Sequence, residues 1–179
     1  AYEIGVRLVG SEMCIRDRIN PPADITITCL QAINLVIPDL NYTNGETGNC
    51  EIAGSIPGVQ SGTFNECGGI LIIDWSFTDN CNYTISHTQN ITVTAAAPAV
   101  FENVPADITL SCQDALNIII PTLDYYNSTS STCQILGSVS GVVSGSFDEC
   151  GGVQTITWSY TDICGRSISD EQVITIDPA

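Results

Sequence analysis

Residues 66–81 read Glu-Cys-Gly-Gly-Ile-Leu-Ile-Ile-Asp-Trp-Ser-Phe-Thr-Asp-Asn-Cys, and residues 149–164 read Glu-Cys-Gly-Gly-Val-Gln-Thr-Ile-Thr-Trp-Ser-Tyr-Thr-Asp-Ile-Cys. In both stretches apolar and polar side chains alternate around a tryptophan, Trp75 or Trp158. Alternation with a period of two is typical of a β-strand with one buried face. Each stretch therefore predicts a strand that begins near one cysteine, places its tryptophan in a core and ends near the next cysteine.

The two stretches belong to a longer internal repeat. With an offset of 83 positions, residues 22–96 align with residues 105–179 without a gap and are identical at 38 of 75 positions. Self-similarity at a fixed period indicates a duplicated structural unit. We therefore predict two domains, at 19–96 and at 105–179, joined by a linker at 97–104.

Other short segments of each copy alternate in the same way. In the first copy these include Ile25 and Ile27 near the start, and Ile91 and Val93 near the end. No stretch keeps helical periodicity for three turns. Short alternating strands separated by turns favour a β-sandwich. The predicted fold is all-β, with two tandem immunoglobulin-like sandwich domains.

Eight cysteines recur with the repeat and are predicted to form disulfides. The expected strand directions place the first and third cysteine of each copy at one end of the domain, the lower end. The second and fourth cysteine lie at the opposite, upper end. A zinc site is the alternative, but the spacings lack the close ligand pairs that zinc sites use. The predicted bonds are Cys29–Cys67 and Cys50–Cys81 in the first copy, and Cys112–Cys150 and Cys133–Cys164 in the second.

Residues 8–18 differ in character and resemble the translation of a transposase adapter used in sequencing libraries. Residues 12–17, Glu-Met-Cys-Ile-Arg-Asp, correspond codon by codon to GAG-ATG-TGT-ATA-AGA-GAC. We therefore expect residues 1–18 to be non-native and to carry no information about the fold. Without Cys14 the number of cysteines is even, and the remaining sequence is expected to be a fragment of a longer protein.

The composition argues against several classes of function. The chain has 20 acidic and 4 basic residues and a net charge of -16, which disfavours binding to nucleic acid. No apolar run is long enough for insertion into a membrane. Nucleophile-elbow, phosphate-loop and zinc-protease motifs are absent from the sequence, and the single histidine, His87, is replaced by Asp170 in the second copy. We therefore expect that the protein is not an enzyme.

Calcium is the one cofactor that the sequence suggests. Four aspartates recur with the repeat, one near the first strand of each copy and one near its upper turn. Calcium binds several carboxylate and carbonyl oxygens at once. The alternative is that these aspartates form turns. The candidate ligands are Asp24, Asp79, Asp107 and Asp162.

Both copies resemble hyalin-repeat-like modules with four cysteines, which occur in tandem in large secreted and cell-surface proteins of Bacteroidetes. The most specific elements are Trp-x-[Phe/Tyr]-Thr-Asp-x-Cys, at 75–81 and 158–164, and Gln-x-Ile-Thr, at 89–92 and 172–175. The resemblance implies an immunoglobulin-like sandwich with an adhesive or architectural role and without catalytic residues.

These observations together predict a non-catalytic, extracellular or cell-surface repeat with a structural or adhesive role. Its expected partners are neighbouring repeats of the same chain, and cell-surface glycans or other surface proteins are further candidates. The alternative is an accessory module of a secreted hydrolase, in which the repeats act as a spacer or bind carbohydrate.

Overall fold

The computed structural model describes residues 17–18, 20–80 and 82–179, without the side chains of Asp17 and Arg18. The described chain consists mainly of strands and divides into two compact units. Unit 1 contains the described residues up to Ile27 together with Leu35–Thr63 and Ile70–Thr92, and unit 2 contains Thr28–Asn34, Phe64–Gly69 and Val93–Ala179.

The two copies of the repeat have the same order of elements. The first copy contains β1 (Asp17–Arg18), β2 (Ile25–Thr28), α1 (Cys29–Ile33), β3 (Leu40–Thr43), a 3-10 turn (Gly48–Cys50), β4 (Ala53–Ile56), β5 (Val59–Asn65), β6 (Gly68–Thr78) and β7 (Thr84–Thr94). The second copy contains β8 (Val100–Phe101), β9 (Ile108–Leu110), α2 (Cys112–Ala115), β10 (Thr122–Tyr126), a 3-10 turn (Ser131–Cys133), β11 (Leu136–Ser140), β12 (Val142–Asp148), β13 (Gly151–Thr161) and β14 (Ser167–Ile176).

The strands of each copy form a three-stranded and a four-stranded sheet. The first copy has the strand orders β1-β3-β4 and β2-β7-β6-β5, and the second has β8-β10-β11 and β9-β14-β13-β12. In the second copy neighbouring strands are antiparallel, except that β9 runs parallel to β14. The predicted all-β class is confirmed. In the described part of the chain, no helix has the length and apolar character needed to cross a membrane.

The core of the second copy lies around Trp158, which is fully buried. Its indole Nε1 donates a hydrogen bond to the carbonyl oxygen of Pro121 at 2.9 Å, so that the polar atom of this ring is satisfied inside the core. Leu123 of the three-stranded sheet and Ile174 of the four-stranded sheet belong to the same buried cluster. Side chains from both sheets therefore share one core, which makes the fold sandwich-like.

The first copy repeats this arrangement. Trp75 is buried, and its Nε1 donates to the carbonyl oxygen of Pro38 at 3.1 Å. The rings of Tyr42 and Phe77 stack with 4.4 Å between their centroids, and these residues lie on strands of different sheets. The equivalent pair of the second copy, Tyr125 and Tyr160, stacks at 3.9 Å.

The predicted alternation along β6 and β13 is confirmed. Leu71, Ile73 and Trp75 are buried on one face of β6, whereas Asp74 is exposed on the other. Strand β2, which contains Ile25, is less covered than its alternation suggests, since Ile25 is 42% exposed. Alternation with a period of two indicates which side chains share a face of the strand. It does not indicate how much of that face a second layer covers.

Residues 1–16 and 19, and with them Cys14, lie outside the described residues. The Asp17–Arg18 strand pairs with Tyr42–Thr43 of β3. Pairing of this kind uses backbone groups that every non-proline residue supplies. The pairing therefore does not test the adapter origin of residues 1–18, which stays a prediction. The predicted domain boundaries also stay predictions.

Candidate functional site

Two disulfide bonds connect the first copy of the repeat to the second, and all four cysteines belong to unit 2. Cys29 is bonded to Cys133 with 5.9 Å between their Cα atoms. Cys67 is bonded to Cys164 with a Cα–Cα distance of 5.4 Å. We call the group of segments around these bonds the junction, and define it as residues 28–34, 64–69, 95–104, 127–135 and 162–166.

The predicted disulfide pairing is wrong. It joined cysteines at the same end of one copy, whereas each observed bond joins a lower-end cysteine of the first copy to an upper-end cysteine of the second. A disulfide requires Cα atoms about 4.4–6.8 Å apart. Strand direction orders cysteines along a domain but does not report which neighbouring domain comes within that distance. The predicted bonds that the structure contradicts are Cys29–Cys67, Cys112–Cys150 and Cys133–Cys164.

The other cysteines of the repeat that the structure describes are not bonded. Cys50, Cys112 and Cys150 have free thiols. Cys81, the predicted partner of Cys50, lies outside the described residues. The free thiols belong to the upper end of the first copy and to the lower end of the second.

A glycine turn positions Cys67 for its bond. The Asn65 side-chain Oδ1 accepts a hydrogen bond from the Cys67 backbone N–H at 2.9 Å. Gly68 follows with a φ of 88°, and a Cβ atom at this position would lie 2.5 Å from the carbonyl oxygen of Val93. Only glycine combines this left-handed backbone with so close an approach of the next strand. The Cys-Gly pair of the repeated motif is therefore a requirement of the turn.

A capped helix positions Cys29. Thr28 is the N-cap of α1, and its hydroxyl accepts a hydrogen bond from the Gln31 backbone N–H at 3.3 Å. The Gln31 side chain accepts in turn from the Thr28 backbone N–H at 2.9 Å, which completes a capping box. Cys29 is the first residue of this helix and is 2% exposed.

Asn127 organises the loop that carries Cys133. Its buried amide Nδ2 donates to the carbonyl oxygens of Cys133 at 2.8 Å and Ala97 at 3.2 Å. Its Oδ1 accepts from the Ile135 backbone N–H at 3.0 Å. Buried polar groups require hydrogen-bond partners, and this one side chain supplies them to backbone groups on both sides of the loop and on the linker.

Asp162 and Arg166 shape the turn that carries Cys164. The Asp162 Oδ1 accepts from the backbone N–H groups of Cys164 at 2.9 Å and Arg166 at 2.8 Å, and its Oδ2 accepts from the Arg166 Nε at 2.7 Å. Burial raises the pKa of the Asp162 carboxyl, but the hydrogen bonds and positive charge of Arg166 outweigh burial and hold this pKa below its usual value of 3.8. The carboxylate is therefore the form that the folded turn favours.

The end of the first copy and the start of the linker are packed into the junction. The Ala96 backbone N–H donates to the Glu66 carbonyl oxygen at 3.0 Å, and the Ala96 carbonyl oxygen accepts from the Arg166 guanidinium. Ala96 and Ala99 are buried, and Ala99 packs against Tyr125. Small side chains allow this segment to lie close to its neighbours, and its short length brings Cys133 and Cys164 to the lower end of the first copy.

Sequence reasoning missed three residues that hold the junction together, namely Gly68, Asn127 and Arg166. A signal was present for two of them, because asparagine and glycine recur at Asn44 and Gly151 with the offset of the repeat. Arg166 has no such signal, since its hydrogen bond to the linker depends on the tertiary arrangement.

Asp24 and Asp107, two of the predicted calcium ligands, bind backbone groups instead. The Asp24 Oδ1 accepts from the Asn90 N–H at 2.7 Å, and the Asp107 Oδ1 accepts from the Val173 N–H at 2.8 Å. Each bond fastens the start of a copy to its last strand.

Asp79 and Asp162, the other two predicted ligands, bind groups of their own turns. The Asp79 Oδ1 accepts from the Tyr83 N–H at 2.9 Å. Within the described residues, no group of three or more His, Cys, Asp or Glu side chains has the arrangement of a metal site. Calcium binding stays a prediction.

Both units have depressions in their described surfaces. In unit 1 an apolar cavity of about 190 Å³ is lined by Ile25, Ile37 and Ile73 among others. In unit 2 an open groove of about 440 Å³ is lined by Glu102, Asp124 and other residues.

The chain matches no known protein-family model and no curated protein sequence. The resemblance to hyalin-repeat-like modules stays a prediction.

Proposed function

We propose that this chain is a non-catalytic, structural repeat of an extracellular or cell-surface protein, and that it transmits tension along an array of similar repeats. The observation that carries the proposal is the pair of disulfides between successive copies. Disulfides persist in oxidising compartments such as the extracellular space. An adhesive protein extends away from a surface and is loaded along its length, which a covalent link between repeats supports.

The disulfides shorten the covalent path that carries this load. A chain pulled at residues 20 and 179 passes from Cys29 directly to Cys133, so that the residues between them bear no tension after unfolding. The shortest path then contains roughly 55 residues and spans about 190 Å, against about 540 Å for the whole segment at roughly 3.4 Å per residue. The bonds thus limit how far an overloaded repeat pair extends.

Single-molecule pulling between residues 20 and 179 tests the proposal. We expect the oxidised protein to stop extending near 190 Å, and the Cys29→Ser/Cys67→Ser variant to reach about 540 Å because no bond shortens its path. The Cys112→Ser/Cys150→Ser variant is the matched control and should behave like the unmodified protein. Equal final extensions for the oxidised protein and the first variant would contradict the load-bearing role.

The longer reading frame that surrounds this sequence separates the proposed role from the hydrolase alternative. Further copies of the repeat followed by a surface-sorting domain support a structural or adhesive array. A catalytic domain next to the repeats would instead make them an accessory spacer. Sequencing of the genomic locus therefore measures the difference directly.

Carbohydrate binding is the second candidate, and the groove of unit 2 favours it. Tyr126, 40% exposed, lies there beside the carboxylates of Glu102 and Asp124. Aromatic faces and carboxylates suit the apolar and hydroxyl surfaces of sugars. The first copy has Asn41 and Thr43 where the second has Asp124 and Tyr126, so this feature does not recur as the junction cysteines do.

Binding to a glycan array tests this candidate, with Tyr126→Ala as the groove variant. Tyr83→Ala is the control, because Tyr83 is also an exposed tyrosine but does not line the groove. Loss of glycan binding in the first variant alone supports the candidate. Binding that both variants retain would assign it elsewhere.

A further inference from the structure

We propose that Cys112 and Cys150 form one half of a second junction, and that the partner is another repeat of this type that bonds to them through its counterparts of Cys133 and Cys164. This inference deepens the proposed function and rests on it for the oxidising environment. It assigns a docking surface, here called the open lower end, which consists of residues 111–117 and 147–151.

The open lower end has the same local structure as the end that is already bonded. Cys112 begins a helix capped by Ser111, as Cys29 does after Thr28. The Cys150 backbone N–H donates to the Asp148 Oδ1 at 2.8 Å. Gly151 then has a φ of 88°, the same value as Gly68 in the first copy.

The segment that follows the last strand has the same position in both copies. The Ala179 backbone N–H donates to the Glu149 carbonyl oxygen at 3.0 Å, and the Ala96 N–H donates to the Glu66 carbonyl oxygen at 3.0 Å. Ala179 thus occupies the place from which the first copy leads into its bonded neighbour. A chain continued from this point would start in the same direction relative to the lower end.

The two lower ends differ in how much of their surface is covered by another part of the protein. Cys29 is 2% exposed beneath the second copy, whereas Cys112 is only partly buried. Leu116 is 66% exposed, and its counterpart Ile33 in the bonded junction is partly buried. A partly buried thiol, an exposed thiol and an exposed leucine at this end fit a surface that lacks its partner.

The partner's surface is defined by the upper end of the second copy. That end presents Cys133 and Cys164 on a loop organised by Asn127 and a turn organised by Asp162. The upper end of the first copy has a related loop, in which the Asn44 Nδ2 donates to the Cys50 carbonyl oxygen at 2.7 Å. Both copies thus carry the receiving loop as well as the lower end. A repeat with two unlike, complementary ends assembles head to tail into an open array.

The bond-forming chemistry requires an oxidant. For each bond, two thiols lose two protons and two electrons and form one sulfur–sulfur bond. A low-molecular-weight disulfide such as oxidised glutathione accepts them and is reduced to two thiols. Two bonds therefore consume two molecules of that disulfide for Cys112 and Cys150 together.

The test uses the full chain extended after Ala179 by a second copy of residues 97–179, because Ala179 corresponds to Ala96. The extended protein is refolded with reduced and oxidised glutathione, alkylated and mapped by mass spectrometry without reduction. We expect peptides that join Cys112 to the appended counterpart of Cys133 and Cys150 to that of Cys164. In a matched control, the extension carries serine at both counterparts, and alkylation should label Cys112 and Cys150 fully.

A Cys112–Cys150 bond in either protein would overturn the inference. So would an extended protein in which the Cys29–Cys133 and Cys67–Cys164 bonds have formed but Cys112 and Cys150 are still alkylated. Those results leave the proposed function intact, since the pulling experiment uses the chain without the extension. Conversely, equal extensions in the pulling experiment would contradict the load-bearing role whatever bonds Cys112 and Cys150 make.

Discussion

The two lower ends of the repeat have the same backbone but different surroundings. Around Cys29 and Cys67 the second copy supplies two bonding partners, and Cys29 is almost fully buried. Around Cys112 and Cys150 the same helix and glycine turn are present, yet both thiols are free. Local sequence therefore builds the end of the domain, and at the bonded end the second copy supplies the partners of the cysteines.

The two upper ends differ in the same way. Cys133 is fully buried and Asn127 is 6% exposed in the junction. Of their counterparts, Cys50 is exposed and Asn44 is partly buried. The hydrogen bond from the asparagine amide to the cysteine carbonyl oxygen is nevertheless present in both copies. Loops that are already folded before they meet a partner lose little conformational entropy on docking. This favours a junction formed from rigid, preorganised halves.

Removal of the junction disulfides is expected to produce the largest change. The Cys29–Cys133 bond closes a sequence separation of 104 residues, so its loss should cost about 4–5 kcal/mol through the entropy of the unfolded chain. We therefore expect Cys29→Ser/Cys67→Ser to lower the free energy of unfolding by at least this amount in guanidinium titrations.

The Cys112→Ser/Cys150→Ser variant sharpens the comparison between the two lower ends. Because both thiols are free, the free energy of unfolding should change by less than about 0.5 kcal/mol. A large loss of stability in this variant would mean that the open lower end is not equivalent to an unbonded half-junction.

Replacement of the loop asparagines is expected to have a smaller effect that also differs between the copies. Asn127→Ala leaves the buried Ile135 N–H without its partner and removes one of the two hydrogen bonds to the Cys133 carbonyl oxygen, and it should cost about 2–3 kcal/mol. Asn44→Ala removes the matching bonds at a partly exposed loop, where water replaces them, and should cost about 1 kcal/mol. Chemical denaturation of both variants measures the difference, and equal losses would show that coverage by a neighbour does not matter.

The pH dependence of the junction is the smallest predicted effect. Because the folded pKa of Asp162 lies below the unfolded value of 3.8, its contribution to stability is complete above that value. The contribution is lost as the pH falls through 3.8 and the lower folded pKa. Melting temperatures measured between pH 6 and pH 2 should therefore decrease less steeply for Asp162→Asn than for the unmodified protein. Identical slopes would assign the acid sensitivity to other carboxylates.

The strand pattern could be predicted from sequence because its physics is local. Alternation placed Trp75 and Trp158 in cores, and the repeat offset predicted that both copies share one set of elements. Recurrence at Asn44 marks the position of Asn127, but its role could not be predicted, since its partners lie on a loop and on the linker that only the fold brings together. Ile25 shows the same limit, because periodicity does not reveal that its face is 42% exposed.

The sequence by itself determined the all-β character, the duplication and the grouping of cysteines at the two ends of each copy. Those properties depend on side-chain alternation and on chain direction, which are local. Only the tertiary structure decided which cysteines bond, because a disulfide forms between thiols that are close in space. The buried segment around Ala96 and Ala99 brings the upper end of the second copy against Cys29 and Cys67. Because of this proximity the disulfides form between the copies, and not within one copy as the sequence had predicted.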